Sequence, residues 1–409
     1  MPTAPPTAAL PNYNEAIERA QVGAKRLSRT ELVPLSDCLG RVLATPVKAD
    51  RDLPPFNRSA LDGYAVQAAA FSNDRTWPVA ATIAAGSQQS PTVESNCCVA
   101  IATGAPLPAG LDAVIPHERS DRGDRQGKPV TFSVSSIEAG QGVHKQGADA
   151  RTGDTIITPY STVNAHHIGL AATVGSDKLE VMSHPRATVI TTGDELVAAG
   201  TNPAAHQIRN SNGPQTSALL HQMGAQVLAH EHYSDDFDVI HAGLAEATSN
   251  SDMVVTVGGI SAGDRDHVPG ALEKLGMTTV IKGCAMQPGR PVMIGQCNQA
   301  LVIGLPGNPV SALVCSTLFI WPLIRGMLGL DTQLPWRKVR LNAPVQPNAK
   351  RQAFRPAQVT GDTAHVPQWA GSGDLSHTSK TNGVVALPMQ SEPLPNGSEV
   401  PFVPWPSRQ

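Results

Sequence analysis

The chain lacks a strong excess of charge of either sign. It has 409 residues, and its 31 lysines and arginines against 34 aspartates and glutamates give a formal net charge of −3. Because nucleic acids and acidic lipids are bound mainly through concentrated positive charge, we expect no nucleic-acid partner and no membrane partner. Any anionic ligand must therefore be bound by a local arrangement of residues.

The sequence also lacks the cysteine spacing of a zinc site or a redox pair. Its six cysteines include no Cys-x-x-Cys pattern, so we interpret them as reduced thiols of a cytoplasmic protein. The first twenty residues have no basic segment followed by an apolar core, and we expect no signal peptide there. The most apolar run, residues 310–324, is interrupted by polar residues and is too short to span a bilayer, so we predict a buried helix.

A common nucleotide-binding motif is absent as well. The glycine-rich segment Gly258–Asp264 lacks the Gly-Lys-Ser/Thr ending of a P-loop and the GxGxxG spacing of a dinucleotide site. His166, His167, His230 and His232 have no third metal ligand nearby in the sequence, and we assign them no role.

Three segments share one pattern, in which a short apolar run is followed by glycine and then by a carboxylate or a helix cap. They are residues 189–196 (VITTGDEL), 253–266 (MVVTVGGISAGDRD) and 301–311 (LVIGLPGNPVS). In a parallel α/β sheet, all three turns would lie at the carboxyl ends of strands, where ligands bind. Glycine lets backbone N–H groups approach a phosphate, and carboxylates at the same edge can hold a divalent cation against it. The pattern predicts a site for an anion and a metal, and it favours metal-assisted phosphoryl chemistry over acyl transfer.

Each of these features has a purely structural alternative. A glycine-rich turn after a strand can be only a tight connection between strand and helix. Asp62-Gly63 can be only a hairpin turn, and residues 103–106 (TGAP) can be only a turn after a strand. Three glycine turns on one sheet nevertheless favour a binding site.

Changes in the sequence pattern along the chain predict a multidomain protein of the α/β plus β class. A helical linker domain, residues 1–50 and 145–185, is interrupted by an inserted β domain of residues 51–144. Strands and helices alternate over residues 186–330, which predicts a central doubly wound α/β domain. Residues 331–409 return to short strands and turns, which predicts a C-terminal β-barrel-like domain.

Cap residues predict where helices begin and end. Helices are expected over residues 14–26 and 162–175, and the second should end at Gly175. Three further helix starts are predicted at Ser211, at Asp235-Asp236 and at Asn308-Pro309.

Six motifs, in order along the chain, resemble the signatures of one known family. They are residues 56–66 (FNRSALDGYAV), 101–118 (with IATGAP and DAVIPHE), 191–196 (TTGDEL), 258–266 (GGISAGDRD), 287–291 (QPGRP) and 305–311 (LPGNPVS). Over nearly its whole length the chain looks like a molybdopterin molybdenumtransferase, the bacterial MoeA family that is related to the E domain of gephyrin. Residues 371–388 (GSGDLSHTSKTNGVVALP) extend the resemblance into the last region.

The resemblance implies a specific activity and assembly. Members of this family insert molybdate into adenylylated molybdopterin, in a Mg²⁺-dependent step that releases AMP and completes the molybdenum cofactor. They are homodimers of four domains, with the active cleft between the α/β domain of one subunit and the β domain of the other. The implied partners are a second copy of the chain, the pterin substrate, other cofactor-biosynthesis proteins and the apo-molybdoenzymes that accept the cofactor.

The functional positions of the family are carried over by motif. As the resemblance implies, the carboxylates would hold Mg²⁺ against the pyrophosphate link of the substrate, with Glu195 and Asp266 as its ligands. Arg290 and Ser311 are candidates for holding molybdate, because arginine offers paired donors and serine a hydroxyl. The expected catalytic residues are Asp62, Thr103, Glu195, Asp235 and Asp266, and the other expected substrate-binding residues are Gly258, Gly259, Ser261, Pro306, Asn308 and Pro309.

Three positions depart from the family pattern. His267 stands where tyrosine is common, and Ala148 stands where an acidic residue is usual. Gln287 replaces a frequent lysine or arginine, which removes one cation from the cleft.

Two other functions remain open at this point. A molybdopterin adenylyltransferase would share the α/β domain, but it is typically a single domain and would not explain Asp62 or the flanking regions. A non-catalytic, gephyrin-like scaffold would use the dimer and the C-terminal domain to bind a peptide.

Overall fold

The structure is a computed structural model that describes residues 9–88, 91–121, 129–261, 263, 266–369 and 371–407. Contacts divide the chain into two compact units. The larger unit comprises Met1–Leu32, Gly40–Ala44 and Glu180–Gln409, and the smaller unit comprises Val33–Leu39 and Thr45–Leu179. The division into four domains, with boundaries after residues 50, 144, 185 and 330, stays a prediction.

A six-stranded sheet forms the centre of the larger unit. Val189 lies beside Val255, which lies beside Ile303, so three neighbouring parallel strands end at one edge of the sheet. Their side chains are buried and mostly apolar, as expected for strands that are covered on both faces. The prediction that the three glycine turns share an edge is confirmed. These first, second and third core strands are Arg186–Thr192, Met253–Val257 and Ala300–Leu305.

The remaining strands of this sheet flank the core strands. Gln226–Tyr233 pairs in parallel with the first core strand and forms one edge. Met293–Cys297 pairs antiparallel with the third core strand, and Thr278–Lys282 pairs antiparallel with Met293–Cys297. The predicted doubly wound α/β domain is confirmed, with an antiparallel pair added at one side.

Helices cover the sheet. Leu244 and Leu272, from two successive helices, bury their side chains with Val254 of the second core strand. In the described part of the chain, the α-helices are Tyr13–Gly23, Ala165–Thr173, Asn212–Gln222, Phe237–Asn250, His267–Lys274, Pro309–Cys315 and Trp321–Met327.

The first two predicted helices are present with shorter bounds. Tyr13–Gly23 begins with a capping box, in which Asn12 accepts from the backbone N–H of Glu15 and Glu15 accepts from that of Asn12. Ala165–Thr173 is followed by Gly175 with a φ of +78°, the left-handed conformation that ends many helices, as predicted.

The predicted helix starts at Ser211 and Asp236 have different outcomes. Asp236 accepts a hydrogen bond from the Val239 N–H at 3.0 Å and caps its helix as predicted. Ser211 makes no capping bond, because its own backbone is already helical with φ of −89° and ψ of −28°. Asn210, one residue earlier, accepts from the Gly213 N–H at 3.0 Å and takes that role.

The most apolar segment forms one helix, Pro309–Met327, which contains a π-helical turn at Ser316–Ile320. Its 19 residues are long and apolar enough to cross a membrane, so the prediction that its length excludes a span is wrong. However, 89% of its most apolar window is buried inside the protein. The segment is therefore a core helix, as predicted.

The C-terminal region forms a closed five-stranded barrel, which confirms the predicted barrel-like domain. The barrel closes because Gln352–Thr360 pairs with Gly383–Leu387 on one side and with Thr363–His365 on the other. Met286–Gln287 adds a short parallel strand beside Gln352–Thr360. The five strands are Arg337–Leu341, Gln352–Thr360, Thr363–His365, Gly383–Leu387 and Glu399–Pro404.

The smaller unit contains a five-stranded sheet, which agrees with the predicted β-rich insertion. Tyr64, Trp77 and Phe132 form the centre of its core. The strands of this sheet are, in spatial order, Ala113–Pro116, Gly63–Val66, Cys98–Ile101, Trp77–Ile83 and Pro129–Val130. The other described strands of the chain are Thr30–Pro34, Val47–Lys48, Arg58–Ser59, Val143–His144, Thr155–Ile157, Lys178–Met182, Leu196–Val197 and Ile208–Arg209.

Candidate functional site

The turns that follow the three core strands are in contact, and we call them the first, second and third turns. The second turn begins with Gly258 and Gly259, whose φ angles are +93° and +63°. A β-carbon on Gly259 would lie 2.7 Å from Oγ1 of Thr192, so glycine is required for the second turn to approach the end of the first core strand this closely. The N–H of Gly258 donates to the carbonyl of Leu305 at 3.1 Å, which joins the second turn to the third core strand.

Asn212 supports the third turn from the start of its helix. Its Nδ2 donates to the carbonyl of Gly307 at 2.6 Å. Its Oδ1 is buried and has no hydrogen-bond partner among the described residues, and the same is true of Thr192 Oγ1. Buried polar atoms are normally hydrogen-bonded, so both atoms are candidates for contacts with a ligand. Asn212 directly follows Ser211, the predicted helix start, and was not among the predicted site residues.

Asp235 joins the first turn to the end of the neighbouring edge strand. Its backbone N–H donates to Oδ1 of Asp194 at 3.1 Å, and its own Oδ2 accepts from the Asp194 N–H at 3.4 Å. Asp235 is thus brought to the predicted edge, and the structure adds Asp194 to the set. The signal for Asp194 was its position directly before Glu195 in the TGDEL motif.

The two predicted metal ligands lie on different turns of this edge. Glu195 is exposed, and its carboxylate packs close to Gly193. A β-carbon added to Gly193 would lie only 2.7 Å from Oε2 of Glu195. Asp266 does not cap the helix it precedes. Instead its Oδ2 accepts from the N–H of Gly263 at 2.8 Å, which holds the carboxylate toward the second turn.

The donor set at this edge suits a metal that is shared with a substrate. Within the described ranges, no group of three or more His, Cys, Asp or Glu side chains is placed to hold a metal ion. Mg²⁺ commonly keeps several waters and takes only one or two carboxylates, with substrate phosphates as further ligands. Glu195 and Asp266 fit that kind of partial protein ligand set.

Asp62 and Thr103 meet in the smaller unit. The backbone N–H of Thr103 donates to Asp62 Oδ1 at 2.7 Å. This bond, then the hydrogen bond from the Thr103 side chain and the nearby His117, hold the pKa of Asp62 below its ordinary value, although desolvation opposes them. Asp62-Gly63 is no two-residue hairpin, because the strand Gly63–Val66 that it begins pairs with Cys98–Ile101 and Ala113–Pro116. The structure therefore brings together two residues that lie 41 positions apart.

A cavity of about 430 Å³ lies in the larger unit, beside the third turn. Of the predicted substrate-binding residues, it contains Arg290, Pro306, Asn308 and Ser311. Pro309 begins the following helix and does not line the cavity, and Gly258, Gly259 and Ser261 belong to the second turn. The other lining residues are Gln287, Pro288, Gly289, Pro291, Arg351, Trp369, Gly371 and Ser372.

The side chain of Asn308 does not cap its helix, contrary to prediction. Its Nδ2 donates to Oγ of Ser372 at 2.9 Å, and the Ser372 carbonyl accepts from the N–H of Val310 at 3.1 Å. The carbonyl of Ser372, 62 positions further along the chain, thus accepts from the N–H of Val310 in the first turn of the helix. The side chain of Asn308 is not needed as a cap and forms a second hydrogen bond to Ser372.

Two lining residues, Arg351 and Trp369, lie outside all the motifs of the sequence and were not predicted. Both come from the C-terminal region, where the only signal was the neighbouring tail motif of residues 371–388. Gln287, the departure from the family pattern, is engaged by Asn348, whose Nδ2 donates to Gln287 Oε1 at 2.7 Å. Arg290 and Arg351 therefore supply the positive charge that lines the cavity.

Comparisons with known proteins agree over nearly the whole chain. Three family models match in order: the MoeA N-terminal region (domain I and II) at residues 11–175, a probable molybdopterin binding domain at 188–326 and the MoeA C-terminal region (domain IV) at 338–405. A molybdopterin molybdenumtransferase of Synechocystis is 32% identical over 370 residues, covering 90% of this chain and 93% of the relative. Molybdopterin molybdenumtransferase 2 of Mycobacterium tuberculosis is 34% identical over 387 residues, covering 91% and 94%.

A solved structure supports the same conclusion. The molybdopterin biosynthesis MoeA protein of Pyrococcus horikoshii has a TM-score of 0.84 and 30% identity, and the match covers 97% of this chain and 99% of that one. The fold and the site define a multidomain transferase of molybdenum cofactor biosynthesis, built around a molybdopterin-binding α/β domain. The chain belongs to the molybdopterin molybdenumtransferase (MoeA) family.

Proposed function

We propose that this protein inserts molybdate into adenylylated molybdopterin in a Mg²⁺-dependent step that releases AMP. One observation carries the proposal: three turns of a molybdopterin-binding fold lie at one sheet edge, the first two bear carboxylates, and the third borders a cavity lined by two arginines. A phosphate-linked pterin needs a cation at its phosphates, and an oxyanion needs positive donors.

The carboxylates and the glycine turn bind the phosphate end of the substrate in this proposal. Glu195 and Asp266 hold the metal, and Asp235 fixes the first turn through Asp194. The N–H groups of the second turn that follow Gly258, from Gly259 to Ser261, bind phosphate oxygens in this proposal, because the N–H of Gly258 already donates to Leu305. When bound, Mg²⁺ would neutralise charge on the phosphates and on the departing AMP.

The cavity binds the oxyanion. Arg290 offers paired N–H donors to molybdate, and Ser311, which is buried at the same cavity, offers a hydroxyl. Pro306, Asn308 and Pro309 shape the third turn around it. Asp62 is ionised near neutral pH as an ordinary aspartate is, and its hydrogen bonds with Thr103 lower its pKa further. An ionised carboxylate suits a role beside Thr103 in binding a cation or orienting a donor group.

The assembly is proposed on the family resemblance. We expect a cytoplasmic homodimer whose active centre takes Asp62 from one chain and Asp266 from the other. Each single alanine variant should then be inactive, whereas exchange of subunits between the two variants should restore roughly a quarter of the wild-type activity, because about half the dimers are mixed and each has one intact centre. No activity at any mixing ratio would exclude a shared centre.

Two assays on the purified protein test the reaction. The first supplies adenylylated molybdopterin and measures AMP with and without molybdate. The second supplies molybdopterin and ATP and measures adenylylation. Molybdate-dependent AMP release with no adenylylation supports the proposal, adenylylation alone identifies an adenylyltransferase, and neither activity favours a scaffold.

A further inference from the structure

The cavity next to the third turn contains an aromatic ring together with unpaired positive charge. Trp369 lines the cavity with Arg290 and Arg351. Neither arginine forms an ion pair with a carboxylate in the described part of the chain, although the protein as a whole has a net charge of −3. The cavity is thus suited to a ligand that is both aromatic and anionic.

The indole of Trp369 is held in place by two other residues. The guanidinium carbon of Arg355, on the barrel strand Gln352–Thr360, lies 4.0 Å from the centroid of the indole ring. The ring of His377 meets the indole edge-on, with a centroid separation of 5.8 Å and an interplanar angle of 68°. A ring that is fixed in this way loses little conformational freedom when a ligand stacks on it.

Arg355 has an unusual environment for a cation. Its Nε is buried without a hydrogen-bond partner among the described residues, and burial lowers the pKa of the guanidinium to about 10. The contact with the indole face stabilises this cation, since a cation is attracted to the negative face of an aromatic ring. Because Arg355 covers one face of Trp369, a ligand can stack only on the other face.

We propose that Trp369 is a stacking platform for a planar nitrogen heterocycle of the substrate, with Arg290 and Arg351 binding the attached phosphate or oxyanion and Arg355 positioning the indole. The proposal rests on the proposed function, because two rings of adenylylated molybdopterin have this chemistry: the pterin and the adenine. Stacking on an aromatic side chain tolerates different rings, and charge-assisted bonds from arginine suit the anion. A cavity of about 430 Å³ lies within the usual range for a small-molecule site.

Calorimetric titration of the intact protein with three probes tests the platform. AMP carries the adenine ring, neopterin monophosphate carries the pterin ring, and inorganic phosphate carries neither. We expect Trp369→Ala to weaken binding of one ring-bearing probe by about tenfold or more and to leave inorganic phosphate unchanged, and Trp369→Phe to restore most of the affinity. The probe that is affected identifies the ring.

Two further variants provide controls. Trp336→Ala removes another partly buried indole, one that does not line the cavity, and all three titrations should be unaffected. Arg355→Met should weaken the same ring probe while the melting temperature and the phosphate affinity stay constant, and Arg355→Lys should largely rescue it. A merely structural role of Arg355 would lower the melting temperature and weaken all probes.

Two results would overturn the platform. One is unchanged binding of both ring probes to Trp369→Ala, and the other is a failure of wild-type protein to bind either ring probe more tightly than inorganic phosphate. If the platform fails while molybdate-dependent AMP release persists, the proposed function stands. If AMP release is absent but ring binding depends on Trp369, the platform stands and the reaction must be reassigned.

Discussion

The close approach of Gly259 to Thr192 makes a single added methyl group informative. In Gly259→Ala, the new β-carbon would lie 2.7 Å from Thr192 Oγ1 and 3.1 Å from Val268 Cγ2, in a residue with φ of +63°. A left-handed conformation costs a non-glycine residue about 1–2 kcal/mol, and overpacking typically adds about 1–3 kcal/mol. We therefore expect the free energy of unfolding to fall by about 2–5 kcal/mol. Because the second turn must move, AMP release should fall as well.

A matched variant separates backbone strain from the contact between turns. Gly276 has φ of +78°, and an added β-carbon would meet no described atom within 4 Å beyond its chain neighbours, so Gly276→Ala should lose only about 1–2 kcal/mol. Combining Thr192→Ala with Gly259→Ala removes the clashing hydroxyl and should restore most of the packing part of the loss, because only the contact with Val268 Cγ2 at 3.1 Å remains tight. Urea denaturation measures the stability of each variant. Equal losses in the two glycine variants, or no recovery in the double variant, would refute the packing of the second turn against Thr192 at the end of the first core strand.

Three further predictions concern the carboxylates and Arg290. Asp266→Ala should fold normally and lose most molybdate-dependent AMP release, because a lost metal contact removes transition-state stabilisation. The control Asp238→Ala, which removes an exposed carboxylate, should have wild-type activity. Near-wild-type turnover of Asp266→Ala would contradict the assignment of Asp266 as a metal ligand. Arg290→Ala should raise the molybdate concentration needed for turnover more than it weakens pterin binding, and equal weakening in two titrations would argue against an oxyanion role. Burial would raise the pKa of Asp252, but its hydrogen bonds, first those from Arg29, lower it below the ordinary value. The stability that Asp252 contributes should be full above its unfolded-state pKa and be lost as the pH falls through its folded-state pKa. Asp252→Asn should therefore make the melting temperature less dependent on pH over that acid range.

The position of the three turns could be predicted from the sequence because the signals are local. A buried parallel strand appears as an unbroken apolar run. Gly193 and Gly258, which directly follow the first and second core strands, have positive φ angles that glycine adopts readily, whereas the third turn is marked by Pro306-Gly307. Asp236 and Gly175 were predicted for the same reason, since a helix cap depends on a few neighbouring residues. Ser211 failed because Asn210, equally suited to capping, stands next to it.

The residues that the sequence did not predict depend on contacts between distant segments. Asn308 has every local feature of a helix cap, yet the carbonyl of Ser372 takes part of that role. Trp369 and Arg351 reach the cavity from the C-terminal region, and no local pattern relates them to the QPGRP and LPGNPVS motifs. Asp194 could be recognised as part of the site only in the structure, where the edge strand places Asp235 beside it and the two residues exchange hydrogen bonds.

The most direct test of the central claim is the molybdate dependence of AMP release. Purified protein is given adenylylated molybdopterin and Mg²⁺ without ATP, and AMP and pterin-bound molybdenum are quantified as the molybdate concentration is raised. We predict that AMP release requires molybdate, saturates with it and yields AMP and inserted molybdenum in equal amounts. AMP release that is independent of molybdate, or molybdenum insertion without AMP release, would contradict the proposed function.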